Sequence, residues 1–382
     1  MRRFVKRAAA LAMACTLALG LLTGCSKSKD LKTQNGTKTL FSYDGVEVAL
    51  KEAWIYAKMT GSQYDYYYST YYGTDFWNTP IGTDDDGNAL TFEDNVKQQV
   101  ISQIKQIIVL NNKAEEYDVS LTDDEKSECA EYAKAFAESE EGAAILKECG
   151  ASEEDMEQIY EKNKLASKVQ QAAVADVDTE VSDDDARETT IARIVYATTT
   201  TNDDGETVDM TDDEKAETLK TAQAALKKLQ SGTDLADLAE EAEYTNTSET
   251  FAAGESEEGE AFEAKLAEMK DGDIMDEVME CENGYVIAQL TAYTDRDATD
   301  SNKEDIVAER QQEAFSDTYD EWTTDLEKDW DYSTSVDQTL WDEVILHSEE
   351  STATEADVET EAADDAAEEA ATEAAAEAST QQ

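Results

Sequence analysis

Ile191-Ala192-Arg193-Ile194-Val195-Tyr196-Ala197 is the stretch at which the sequence changes period. Its β-branched and aromatic side chains suit a strand. Upstream, residues 91–188 read as a string of amphipathic helices, with Val96, Val100, Ile104, Ile107, Ile108 and Ala114 on one face. Downstream, helices are expected over residues 215–230, over 235–242 after the turn Ser231-Gly232-Thr233-Asp234, and over 262–269, stopped by Lys270-Asp271-Gly272. Residues 274–279 and 284–293 then read as a hairpin around Glu282-Asn283-Gly284. Strand, helix, helix, helix, strand, strand makes a compact α+β unit of about 100 residues, an ordinary domain size.

The surroundings are helical. Thr91 with Asp94, Thr122 with Glu125, Ser152 with Asp155, Ser182 with Asp185 and Thr211 with Glu214 repeat a helix-start signature, a hydroxyl residue followed three positions on by an acid. Leu40 to Val48 reads as a short strand, an Asp44-Gly45 turn and a restart, and a helix begins at Lys51. At the far end Phe315, Tyr319, Trp322, Leu326 and Trp330 mark a long amphipathic helix. The fold class is therefore α+β: a mostly helical body with a small mixed sheet inserted.

At 382 residues the chain has room for two to three domains. Its 31 Lys and Arg against 90 Asp and Glu leave a formal charge of −59. That argues against nucleic acid as a partner, since phosphate binding needs clustered cations, and it opposes adsorption on anionic lipid. One histidine, His347, rules out a mechanism or a zinc site needing two imidazoles. Thr83-Asp84-Asp85-Asp86-Gly87-Asn88 partly resembles a calcium loop. With Gly87 at the sixth position, Asp84, Asp86 and Glu93 fall at ligand positions, but Gly82 at the first offers no side chain. It reads as a solvated acidic turn, and no cofactor or metal is expected.

Residues 1–24 have the build of a secretory signal: the cationic Arg2, Arg3, Lys6 and Arg7, then an apolar run ending in Leu22-Thr23-Gly24-Cys25. That ending resembles a bacterial lipobox, which implies a diacylglyceryl group on Cys25, an extracytoplasmic location and anchoring in membrane lipid. Residues 25–39 read as a tether. Residues 348–382 hold twelve acids and no Lys or Arg, and read as a disordered acidic tail. Cys129, Cys149 and Cys281 are expected as free, partly buried thiols, with a Cys129–Cys149 pair open if their segments are adjacent.

This order of elements resembles the extracytoplasmic parvulin-type foldases, the PrsA and SurA kind of peptidyl-prolyl isomerase. The resemblance covers most of residues 40–346. It implies an N-terminal helical chaperone region over 40–188, a parvulin-like domain over 189–294, and a C-terminal helix over 295–347 that returns to complete the chaperone module. Ser231 to Ala239 is similar to the family's Gly-x-Asp-Phe-x-x-Leu-Ala turn, and Asn283-Gly284-Tyr285-Val286-Ile287 to its closing strand. At the pocket positions the family's two histidines fall on Arg193 and Val286, and its Asp or Cys near Thr247, while Phe262 keeps the pocket Phe. Phe262 is thus the one obvious floor for a proline ring, with the acids of 255–263 expected around it.

Partners implied by the resemblance are unfolded or partly folded secreted polypeptides. For contact with them the candidate is Tyr64, Tyr66, Tyr67, Tyr68, Tyr71, Tyr72, Phe76 and Trp77, more aromatic surface than one helix face buries. Two other readings stay open: an active isomerase with a pocket rebuilt from Arg193, Thr247 and Phe262, and a solute-binding lipoprotein, which requires two α/β lobes of comparable size.

Overall fold

The computed structural model describes residues 35–83, 89–202, 205–245, 247–282 and 284–346. The signal segment with Cys25, most of the tether, Asp84 to Asn88, Asn283, His347 and the acidic tail lie outside the described residues. The described residues fall into two compact units, one of residues 35–108, 121–163 and 330–346, the other of 109–120 and 164–329.

In the first unit β1 (Thr39–Tyr43) and β2 (Val46–Ala49) form an antiparallel hairpin with Tyr43 opposite Val46. Its turn places Asp44 and Gly45 at φ 45° and 77°, the left-handed pair that a two-residue hairpin turn needs. α1 (Leu50–Tyr72) follows, then the hairpin β3 (Pro80–Thr83) and β4 (Ala89–Thr91), and the helices α2 (Phe92–Asn112), α3 (Asp123–Glu138), α4 (Glu140–Cys149) and α5 (Glu153–Ala173). Three of the expected start signals act as caps here. The Thr91 Oγ1 accepts from the Asp94 N–H, Thr122 and Glu125 close a full capping box, and the Ser152 N–H donates to Asp155.

Trp54, Ile55, Ile101, Ile104 and Met156 are almost wholly buried in this unit. Around them lysines clip α1 to its neighbours: Lys51 to Asp155 at 2.5 Å, Lys58 to Glu148 at 2.8 Å and Glu52 to Lys162 at 2.6 Å. Cys129 and Cys149 are buried and are not joined in a disulfide, and burial pushes the Cys149 thiol up, so it stays a thiol.

Residues 330–346 close the unit. The Lys105 ammonium lies 4.5 Å from the Tyr43 ring centre and 4.3 Å from that of Trp330. Trp330 stands edge-on to Phe41 and Tyr43, at 5.6 and 5.2 Å. A cation between two ring faces gains from both quadrupoles, and more so away from water. After Trp330 come two short helical turns, Tyr332–Ser335 and Gln338–Trp341, and the Asp337 N–H donates to the Leu40 carbonyl at 2.9 Å. The segment ends by crossing α1 at Gly61, where a Cβ would stand 2.2 Å from the Leu346 carbonyl oxygen.

In the second unit the elements are β5 (Glu188–Ala197), β6 (Thr199–Thr201), β7 (Thr207–Asp209), α6 (Asp212–Gln230), α7 (Leu235–Glu241), β8 (Ser248–Ala252), α8 (Glu260–Leu266), β9 (Met279–Cys281), β10 (Gly284–Ala292) and α9 (Arg296–Thr323). Four of the strands make an antiparallel sheet in the order β8-β5-β10-β9, with Ile194 opposite Ile287. Alternation sorts the sheet's side chains. Ile194 and Ile287 face a cluster with Ala225, Leu226, Leu229, Leu235 and Leu238 of α6 and α7. Ile191, Val286, Ala288 and Leu290 face the other way, against Phe251, Phe262, Leu266 and Met275.

Several expectations are corrected. β8 has no counterpart in the sequence reading, because of its five residues only Phe251 is both large and apolar. The strand expected over 274–279 shrinks to β9, with Ile274 making a single bridge to Gln289 while Met275 turns into the core. Ser182 and Asp185 are hydrogen-bonded but close only a turn, since β5 begins at Glu188.

In the second unit α9 is fastened to the sheet. The Glu188 N–H donates to Thr299 Oγ1 at 3.1 Å, Thr190 Oγ1 to Asp295 at 2.7 Å, and Asp183 receives both Arg296 and Lys303. Further along α9, Trp322 packs edge-on against Tyr117, with ring centres 5.7 Å apart. No helix among the described residues is long and apolar enough to cross a membrane.

Two measurements test this fold. Gly61→Ala forces α1 and the Leu346 backbone apart, a loss of about 2 kcal/mol from overpacking that outweighs the gain in helix propensity; urea unfolding unchanged from the parent would refute the crossing. The hydrogen bonds from Lys303 and Arg296 hold the Asp183 carboxyl down at about 2. Its stabilising effect is complete above the ordinary carboxylate value and fades as pH falls through that window. Asp183→Asn is expected to flatten the decline of stability in acid, read from melting curves across the same range.

Candidate functional site

Two places bring the sequence candidates together, one in each unit. In the first unit the tyrosine run is part of α1 and not a segment after it. Tyr64, Tyr68 and Tyr72 recur every four residues, so each ring meets the next along one helix face, at 5.9 and then 6.2 Å. The inner end of this ladder is core. Tyr64 packs against Trp77 and Phe92, and its hydroxyl donates to Gln99 at 3.3 Å. Burial, with Tyr68 adding to it, pushes the Tyr64 phenol up. Trp77 is fully buried, its indole N–H donating to Asp65 at 2.7 Å and its ring 4.7 Å from that of Phe76.

Trp77 is therefore structural rather than a contact surface, because its polar handle and both ring faces are already taken; Tyr64 and Phe76 are half-buried around it. The outer end is open. Tyr66, Tyr67 and Tyr72 are 63, 62 and 69 % exposed, and Tyr68 is 42 % exposed. Tyr66 and Tyr67 touch edge to face at 5.4 Å. The side chain of Tyr71 lies outside the described residues. The result is an aromatic surface seated on a packed base, with Tyr66, Tyr67 and Tyr72 largely exposed to solvent.

In the second unit Arg193, Phe262 and Val286 share one face of the sheet, and Thr247 borders it by accepting the Arg193 N–H at 2.9 Å. Arg193 projects from the centre of β5 beside Ile191, and its side chain is only 3 % exposed. A guanidinium cannot shed its proton, so burial here demands acids. Three converge on it. Nη1 lies 2.7 Å from Glu249 of β8 and is also paired with Glu258, and Nη2 donates to Glu257 at 3.1 Å. Burial pushes the Glu249 carboxyl up, against the pull of the adjacent Arg193. Cys281 is half-buried nearby, and burial raises its thiol while Arg193 draws it down.

The acids expected around Phe262 are thus engaged elsewhere. Glu257 and Glu258 turn to Arg193, and Glu263 accepts the backbone N–H groups of Gly254 and Ser256 at 2.8 and 3.0 Å. Phe262 itself is wholly buried among Ile191, Phe251, Leu266, Met275 and Val286. It is not an open floor for a ring, because the chain's own apolar side chains already fill the space on both sides. Val286 is likewise wholly buried in that cluster. The face offers a cation paired with three carboxylates and a filled apolar core.

Glu249 is the member that the sequence reading missed. A lone arginine inside an apolar strand run was the signal available, since such a charge needs acids on the adjoining strand. Arg193→Met is expected to destabilise the chain by about 3 kcal/mol at neutral pH, because it strands buried carboxylates. The loss shrinks in acid: Glu249 has a raised value in the folded chain, so protonation favours the fold as pH falls through it. Urea titrations at neutral and acidic pH measure both effects, and a pH-independent loss would contradict the charge cluster.

No protein-family model matches the chain, and no curated protein matches it. Among solved structures, the peptidylprolyl isomerase PrsA of Bacillus cereus is 22 % identical, with 70 % of this chain and 97 % of that one covered and a TM-score of 0.30. The foldase protein PrsA of Streptococcus pneumoniae is 19 % identical over 70 % of this chain and 100 % of that one, at a TM-score of 0.25. A SurA-like chaperone of Campylobacter jejuni is 13 % identical over 64 % and 96 %, also at 0.25. The solved structures that the chain is similar to include PrsA and SurA-like peptidyl-prolyl isomerase chaperones.

Proposed function

We propose that this chain is an extracytoplasmic chaperone of the foldase type, lipid-anchored through Cys25, that holds unfolded secreted polypeptides on the tyrosine surface of α1. The observation that carries the reading is the exposure of Tyr66, Tyr67 and Tyr72 beside a buried, hydrogen-bonded aromatic base. Exposed aromatic clusters of this kind are costly to keep in water and mark interaction surfaces. Tyrosine suits many partners, since each ring gives wide contact at little entropic cost.

On this reading the sheet-bearing unit has a parvulin-like form without the reaction. Turning an X–Pro bond faces a barrier of about 18–20 kcal/mol. A catalyst must hold the ring and favour the twisted amide over the planar one. The buried Phe262 and the tied Arg193 supply neither, which counts against the rebuilt-pocket reading. The solute-binding reading needs two α/β lobes, and the described residues contain one four-stranded sheet beside two-stranded hairpins.

The test has two arms. In light scattering of reducing, aggregating lysozyme, the parent chain is expected to suppress aggregation. The combined Tyr66→Ala, Tyr67→Ala and Tyr72→Ala variant should need about tenfold more protein for the same effect, as for loss of aromatic anchors. In a protease-coupled assay on an X–Pro peptide, the parent should match buffer. Undiminished suppression by the triple variant, or a catalysed isomerisation rate, refutes the corresponding half of the reading.

A further inference from the structure

Aromatic rings elsewhere in the chain already hold cations. In the first unit Lys105 lies between Tyr43 and Trp330. In the second unit the Lys113 ammonium is 5.3 Å from the centre of the Trp322 ring, and the Arg187 guanidinium 4.3 Å from that of Tyr293. The outer tyrosines of α1 differ. Among the described residues no Lys or Arg lies over Tyr66, Tyr67 or Tyr72, although these side chains are largely exposed. The sequence accounts for the difference, because from Met59 to Val96 it contains no Lys, Arg or His. Lys58 and Lys97, which bracket that stretch, are buried and already paired, Lys58 with Glu148 at 2.8 Å and Lys97 with Glu93 at 3.5 Å. The local charge is instead negative. Asp75 is exposed in the turn Thr74–Asn78, and the ring of the adjoining Phe76 stands 5.9 Å from that of Tyr68.

We infer that the outer tyrosines of α1 select arginine-bearing segments of an unfolded polypeptide, the guanidinium stacking on the rings of Tyr66, Tyr67 or Tyr72. The inference rests on the holding role proposed above and names the class of client. Charge complementarity gives the sign. Aromatic faces and a carboxylate both attract a cation, and this part of the chain supplies none of its own. Exposure gives the kind of cation. On a wet surface an ammonium keeps its tightly held water, which stands between it and a ring. A guanidinium is planar, delocalised and weakly hydrated, so it lies flat on an aromatic face at little desolvation cost. Tyr66 and Tyr67 leave room for that contact. Their rings meet edge-on at 5.4 Å and 79°, a geometry that engages a face of only one of the two. Acidic segments are repelled by Asp75 and by the net charge of the chain, so selection works against one class as well as for another.

The probes are three fluorescent, unstructured peptides of Leu, Phe, Ser and Gly that differ at two positions, both Arg, both Lys or both citrulline. Citrulline keeps the planar shape of arginine without its charge. Binding to the full chain is followed by fluorescence anisotropy at physiological salt. The parent should bind the Arg peptide about tenfold tighter than the citrulline peptide, at about threefold for each exposed ring contact. It should bind the Arg peptide about threefold tighter than the Lys peptide. The combined Tyr66→Leu, Tyr67→Leu and Tyr72→Leu variant keeps apolar surface and net charge but removes the rings, and an unchanged melting curve confirms its fold. Long-range attraction is the same in both proteins, so in the variant the Arg peptide should fall to the level of the Lys peptide while citrulline-peptide affinity holds. The ranking on the parent is read independently of any variant. An Arg peptide bound no tighter there than the Lys or the citrulline peptide overturns the inference, as does a preference for Arg that survives in the variant. Citrulline-peptide binding in those cases still upholds the holding role. Failure of the parent to bind any of the three peptides removes the holding role itself.

Discussion

A permanently charged guanidinium on the inner face of a sheet sets the terms for the unit that contains it. Arg193 cannot be neutralised by losing a proton, so the chain supplies acids from β8 and from the segment before α8. Drawing residues 257 and 258 onto the sheet brings α8 with them, and with α8 come Phe262 and Leu266. A face that would otherwise be a groove becomes a core. The same ion cluster therefore accounts for the burial of Phe262 and the position of Glu249.

The helical unit obeys a different constraint. Carboxylates outnumber cations about threefold across the chain, so each buried lysine occupies a place where its loss is felt. Lys51, Lys58 and Lys162 each join α1 to a helix distant in sequence, and Lys105 sits between Tyr43 and Trp330. These contacts are partly sheltered from solvent, which makes them worth more than the exposed i,i+3 pairs of the surface helices. They hold α1 rigid, and that rigidity is what lets one end of the helix present tyrosines to water while the other end packs.

Local rules were the legible part of the sequence. Thr122 with Glu125 and Thr211 with Glu214 are full capping boxes, and the apolar period of residues 96–108 does mark a buried face. The pair of strands β5 and β10 was also readable from Ile191 to Ala197 and Gly284 to Tyr293, although the sheet they make is antiparallel and not mixed. What escaped was decided by distant partners. Glu249 is one acid among 90 until Arg193 is seen paired with it across the strands, and Phe251 alone gave too little pattern to announce β8. The tyrosine run divided between core and surface for the same reason. Which rings are covered depends on Phe92 and Trp77 folding over one end of α1, and spacing within the run does not encode that.

The return of residues 330–346 to the first hairpin fixes an order of completion. Leu40 waits for Asp337, Tyr43 and Lys105 wait for Trp330, and α1 waits at Gly61 for Leu346. A polypeptide delivered amino end first can assemble its four-stranded sheet from residues 188–292 while the later part is still in transit. The helical body has no such freedom, because its opening strands find their covering only in the last stretch to arrive. Until then its earliest aromatic residues stand uncovered, and the opening hairpin is the part of the chain longest without its packing partners.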